Sequence, residues 1–154
     1  MAYAVPRAVA ETFYKVYAAR EIEKIAAFLH DDVQWTISGP VDVLPFCGVH
    51  RGKADVLDLI KRRVPEVIRV FSFLPDEFLV EGDQVATLNR VSARRTDDGR
   101  VISYRVANFI RFRDDKVIEN LSLLDSFDAV EQLLGHSLAV HDGEPADEGY
   151  LVAV

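Results

Sequence analysis

The segment Asn120-Leu-Ser-Leu-Leu-Asp125-Ser-Phe-Asp128 ends the last long apolar run of the chain and sets a carboxylate, Asp125, where an alternating pattern stops. If Leu121 and Leu123 face a core, the two-residue period of a strand turns Asp125 inward as well. An inward carboxylate is costly unless it reaches water, meets a donor or keeps its proton, and a pocket supplies all three. Within residues 100–112 the same period puts Asn108 on one face with Tyr104, Val106 and Ile110, and Asn89 and Val91 point the same way. The inward set is then an apolar cup of Trp35, Ile37, Phe13, Val91, Val106 and Leu123, with Asn89, Asn108 and Asp125 as its few polar groups, which is the composition of a small-molecule pocket. The alternative is a closed core in which these polar side chains bond one another or water.

Other reactive side chains are less committed. His50 lies in the glycine-rich stretch Gly39–Gly52, near the expected mouth, either as a second acid or base or as a solvated loop histidine. His30 stands beside Asp31 and Asp32, but no third ligand has metal-site spacing, so no metal is expected. Cys47 is the only cysteine, which rules out an intrachain disulfide or a cysteine–zinc cluster and reads as a structural thiol. His136 and His141 fall in the tail without a role.

The elements that position these groups follow from periodicity. Residues 6–19 and 21–29 read as amphipathic helices, and Val33, Trp35 and Ile37 as a half-buried strand after a break at His30-Asp31-Asp32. A third helix runs over 53–64, with one further turn through Ile68. Strands follow over 70–74, 77–81, 85–95, 100–112 and 117–125, joined by turns so short that neighbours must be antiparallel, and a short helix spans 126–134 before Gly135. Residues 1–135 form one α+β domain. Residues 136–154 form an acidic loop between apolar patches that dock on the domain or a partner, or stay disordered.

A net charge of −7 argues against a general nucleic-acid or anionic-membrane partner. The first ten residues predict neither a signal peptide nor a membrane span, and a cytoplasmic location is the default. The outer sheet face carries Arg90, Arg94, Arg105 and Arg111 with Phe109, a single stacking ring. That mixture suits a homodimer contact through Arg90, Arg105, Phe109 and Arg111 better than RNA.

The order of these elements, with Phe28-Leu-His-Asp-Asp-Val-Gln-Trp35, Pro45-Phe-Cys-Gly-Val-His-Arg-Gly52, Asn108-Phe-Ile-Arg-Phe112, Lys116-Val-Ile118 and Leu124-Asp125-Ser-Phe-Asp128, resembles the SnoaL-like branch of the nuclear-transport-factor-two-like superfamily, which includes ketosteroid isomerases. The resemblance covers roughly residues 6–134. It implies a strongly curved, mostly antiparallel sheet that forms a cone-shaped pocket with three helices from the N-terminal half, open to a small apolar ligand. It also implies a proton-moving role for Asp125 and donation to an oxyanion from Asn108, with no cofactor. Phe13 stands where the isomerases carry a tyrosine, and no carboxylate falls at Trp35–Ile37, which argues against ketosteroid isomerisation. Asn89 and Val91 replace the arginine–aspartate pair of limonene epoxide hydrolase. Cofactor-free acid/base chemistry on a small carbonyl compound is the expected activity, with non-catalytic binding or a dimerisation module as the alternative.

Overall fold

The computed structural model describes residues 2–138, so the expectations for residues 139–154, including His141 and the acidic stretch, lie outside the described residues. Pro6 stands in extended geometry at the head of α1 (Arg7–Ala18), which buries Ala10, Phe13, Tyr14 and Val16 along one stripe. After a turn at Arg20, α2 (Ile22–Phe28) buries Ile25 and runs directly into β1 (Leu29–Ser38). His30, Asp31 and Asp32 therefore lie inside the strand rather than breaking it. The pairing of β1 with the last strand slips between Leu29 and Gln34, and that irregularity absorbs the polar residues.

The stretch read as an irregular loop contains β2 (Gly48–Arg51), antiparallel to β1 with Trp35 opposite His50. The third helix divides into α3 (Lys53–Asp58), a π-helical turn (Leu59–Arg63) and α4 (Val64–Val67). The Val64 N–H reaches back five residues to the Leu59 carbonyl. Pro65 has no N–H to close an ordinary turn, and the helix widens just before it.

The remainder is a meander of β3 (Ile68–Glu81), β4 (Gln84–Arg95), β5 (Val101–Arg113) and β6 (Lys116–Leu124), followed by α5 (Ser126–Leu134). The two segments read separately at 70–74 and 77–81 are one strand, with irregular pairing near Ser72 and Pro75. Asp114 and Asp115 both take positive φ (49° and 61°), as a two-residue hairpin loop between right-twisted strands requires.

All six strands form one open sheet in the order β2-β1-β6-β5-β4-β3, antiparallel throughout except for the parallel pair of β1 and β6. This corrects the strongly curved, cone-forming sheet expected from the resemblance. The sheet is neither strongly curved nor closed, and among the described residues β2 and β3 are its edges. Short turns oblige neighbouring strands to pair, but nothing in them obliges the two edges to meet.

Helices cover one face. Phe13 packs against Tyr14, Tyr17, Phe28 and Phe112, and Tyr17 reaches Trp35 and Phe73. The other face leaves Phe109, Leu121 and Leu123 exposed. The phase of β6 is therefore opposite to the one expected from its leucines: Asn120 and Ser122 point into the protein. Ser122 pairs with Asn108 and Asn120 with Ile110, while Leu121 and Leu123 pair with the outward Phe109 and Ala107. Paired residues on adjacent strands share a side, so the inward phase of β5 dictates that of β6.

Cys47 is buried in the loop before β2, where a Cβ on Gly39 would stand 2.7 Å from its sulfur. Burial pushes this thiol up to about 11. In the unfolded chain a thiol titrates near ~8.5. A folded-state value above the unfolded one means that stability is complete below the lower pH and is lost as pH rises through the upper one. We expect the melting temperature to hold up to about pH 8.5 and to fall toward about pH 11, with Cys47→Ala showing a shallower fall. Phe13→Ala, which removes the hub of the aromatic cluster, is expected to cost about 3–5 kcal/mol in urea unfolding.

Candidate functional site

Beneath the helices the sheet's inner face carries a chain of buried polar side chains. Tyr14 of α1 bonds Thr87 through their hydroxyls at 2.8 Å. The Asn89 amide donates to Thr87 Oγ1 at 2.9 Å and to Asn108 Oδ1 at 2.7 Å, and lies 3.2 Å from the Val106 carbonyl. Asn108 in turn donates to Ser122 Oγ at 2.7 Å and Asn120 Oδ1 at 3.2 Å, and Asn120 donates to Ser122 Oγ at 2.9 Å. The ladder thus links α1, β4, β5 and β6 without a charged member. One acceptor in it, Asn89 Oδ1, is buried and has no partner.

Both amide hydrogens of Asn108 are used within the ladder, so donation to a ligand oxyanion would require breaking one of these bonds. Ser122 is in the opposite position. Its oxygen accepts twice and its own hydroxyl hydrogen is not used by any described residue. Incoming amide bonds polarise such a hydroxyl and strengthen it as a donor.

Asn108 and Ser122 border an interior cavity of about 50 Å³ that is also walled by Trp35, Ile37, Val91, Val106 and Tyr104. The Leu59 and Ile60 side chains of the π-helical turn cap it, and Tyr17, Arg20 and Phe73 stand along its border. Desolvation raises the Tyr104 phenol above its ordinary range, with Tyr17 adding to the rise, so it remains protonated and able to donate at neutral pH. A space of this size holds only a few waters.

The residues nominated from sequence divide accordingly. Trp35, Ile37, Val91, Val106 and Asn108 share the cavity wall. Asn89 is fully buried behind it within the ladder, and Phe13 belongs to the aromatic cluster rather than to the wall. His50 is neither solvated nor in the cavity: it is buried on β2, with Nε2 2.9 Å from the Phe46 carbonyl and Nδ1 3.8 Å from Asp55. Leu123 and Asp125 require correction. Leu123 is exposed on the outer face, and Asp125 is an exposed residue at the head of α5, its N–H bonded to the Arg105 carbonyl at 3.0 Å. Because β6 has the opposite phase, its inward series ends in Ser122 and the half-buried Leu124 instead of reaching Asp125. Asp125 borders an outer-face groove with Arg90, Arg105 and Asp128.

Ser122, Tyr17 and Arg20 were missed as site residues. Ser122 could have been found by noting that Asn108, once inward, needs polar partners on the neighbouring strand. Arg20 carries no such signal, because it enters through the turn between α1 and α2. Among the described residues there is no cluster of three metal-ligating side chains. No helix among them is long and apolar enough to cross a membrane.

Comparison with known proteins agrees with this architecture. The SnoaL-like domain family matches residues 10–120. A candidate isomerase from Rhodopseudomonas palustris is 31% identical, covering 82% of this chain and 93% of that one, with a TM-score of 0.72. An NTF2-like protein of unknown function from Burkholderia pseudomallei is 21% identical, covering 86% of this chain and 97% of that one, with a TM-score of 0.72. TerC, co-crystallised with polyporic acid, is 22% identical over 82% of this chain and 95% of its own, with a TM-score of 0.71. None of the curated proteins matches the sequence. With residues 10–120, more than half its length, matched, the chain belongs to the SnoaL-like domain family.

Proposed function

We propose that this protein binds a small, largely apolar molecule in the interior cavity and holds a carbonyl or similar acceptor oxygen of that molecule with the Ser122 and Tyr104 hydroxyls. The observation that carries this reading is the uncommitted hydroxyl hydrogen of Ser122 beside an apolar cavity. Ligand sites commonly combine apolar walls with a few convergent donors. The cocrystal of TerC with polyporic acid supports an organic ligand for this scaffold. At about 50 Å³ the cavity is smaller than a ring, so entry requires the π-helical turn or the Arg20 mouth to move outward.

Turnover is the second reading, favoured by the likeness to a candidate isomerase. Donors aimed at a carbonyl oxygen stabilise an enolate as charge develops on it. Asp125 stands outside the cavity, and no described carboxylate or imidazole lines it, so a proton would move through water or a group of the substrate.

Trp35 is the only tryptophan in the chain and forms part of the wall, so its fluorescence reports occupancy. A ring ketone that binds should shift Trp35 emission, and Ser122→Ala should weaken that binding about tenfold. Equal affinity in the variant would remove Ser122 from the site. No response to any ring ketone at millimolar concentration would make the cavity a closed core.

We further propose that the exposed face bearing Phe109, Leu121 and Leu123 beside Arg90, Arg105 and Arg111 pairs two copies of the chain. Arg90 is held by Asp76, and Arg111 by Asp83 and Glu119, which leaves Arg105 without an ion pair among the described residues. Sedimentation should show a dimer at micromolar concentration and a monomer for Phe109→Asp; a monomeric parent chain would refute the pairing.

A further inference from the structure

Arg20 occupies the turn between α1 and α2 with φ at 55°, in the left-handed region that a residue bearing a Cβ rarely adopts. Its guanidinium carbon lies 4.5 Å from the centre of the Tyr17 ring, a cation–π stack that fixes the direction of the side chain. That direction is toward the cavity: Arg20 borders it together with Tyr17, and its charge is felt by the Tyr104 phenol within. The guanidinium makes no hydrogen bond or ion pair with any described residue. Arg62, Arg95 and Arg111 are paired with Asp58, Asp97 and Asp83, whereas Arg69, Arg105 and Arg113 also lack an ion pair among the described residues but lie on the strands away from the cavity; the adjacent Glu21 is taken by Lys24.

The chain has 25 acidic residues against 18 lysines and arginines, so a partner for a surface cation is easily found. An arginine held in a strained turn, stacked on an aromatic ring at a cavity border and without a carboxylate among the described residues is placed to meet an anionic group. Guanidinium forks pair with carboxylates in a bidentate manner that an ammonium cannot reproduce.

We infer that Arg20 recognises an anionic ligand: a ring-bearing carboxylate whose charged end meets Arg20 at the mouth while the ring enters toward Trp35. This rests on the interior cavity being the ligand site. The apolar walls take the ring, and the mouth, where water still reaches the charge, takes the carboxylate without burying it. In this arrangement Arg20 sets the charge preference of the site, while Trp35, Val91 and Val106 set its shape.

The test compares phenylacetate with phenylacetamide, which share a shape and differ in charge, by calorimetry and by Trp35 emission. The acid is expected to bind at least tenfold more tightly than the amide, and rising salt should reduce that preference. Arg20→Met should bring the two to equal affinity, and Arg20→Lys should retain part of the preference. Arg20→Gly relieves the positive φ and should behave as Arg20→Met does, which separates loss of charge from loss of fold. Equal binding of acid and amide by the unaltered protein, or an acid preference that survives Arg20→Met and Arg20→Gly, overturns the anion assignment and leaves the cavity reading intact. Failure of both compounds to bind or to alter Trp35 emission overturns the cavity reading and this inference together.

Discussion

Residues paired across neighbouring strands must point to the same side of a sheet, and the interior of this protein depends on that constraint. One row crosses the sheet through Ile37, Ser122, Asn108, Thr87 and Phe78; another runs through His50, Trp35, Asn120, Ile110 and Val85. Both rows face the helices. Once Asn108 is inside, Ser122 and Thr87 are inside with it, and each becomes a partner that keeps the others from being orphaned. An amide bond within such a ladder contributes only about 1 kcal/mol net, whereas a buried polar group without a partner costs about 1–3 kcal/mol. The ladder is therefore more a condition on register than a large source of stability, and Asn89 Oδ1 shows that the condition is not met at every atom.

The same rows explain why the cavity has two unlike sides. Aromatic and aliphatic side chains from α1 and the π-helical turn close it above, and a sheet face of alternating polar and apolar rows closes it below. The polar groups below are neutral, so the desolvation that would penalise a buried carboxylate does not arise. Charge enters only at the border, through Arg20, where it can keep contact with water.

Much of this architecture could be read from spacing. The helical stripes, the order of the elements other than β2 and the division of β5 into two faces followed from a period of two or of three to four residues, and taking Asn108 as inward grouped Trp35, Ile37, Val91 and Val106 with it. The phase of β6 did not. Both of its faces are rich in leucine or in groups that tolerate burial, and hydrophobicity chose the leucines because it could not see that Asn120 and Ser122 would be satisfied by Asn108. Asp125 was misplaced by that one inversion, since a one-residue change of phase moves a whole strand's side chains to the opposite face. His50 was read as a loop residue because β2, at four residues, is too short to show alternation. The open form of the sheet was beyond local pattern, because it is decided by whether two edge strands far apart in sequence meet.

The parallel pairing of β1 with β6 joins residues 29–38 to residues 116–124, with almost the whole meander between them. Contacts so distant along the chain carry the loop-closure entropy of everything they enclose and form slowly. On a ribosome β1 must wait, with one side unpaired, until β6 has emerged. The rows that give the cavity its floor are completed by that late event, so Trp35 acquires its polar neighbours only once β6 has been made. The cavity floor is thus absent from any N-terminal fragment that stops before β6.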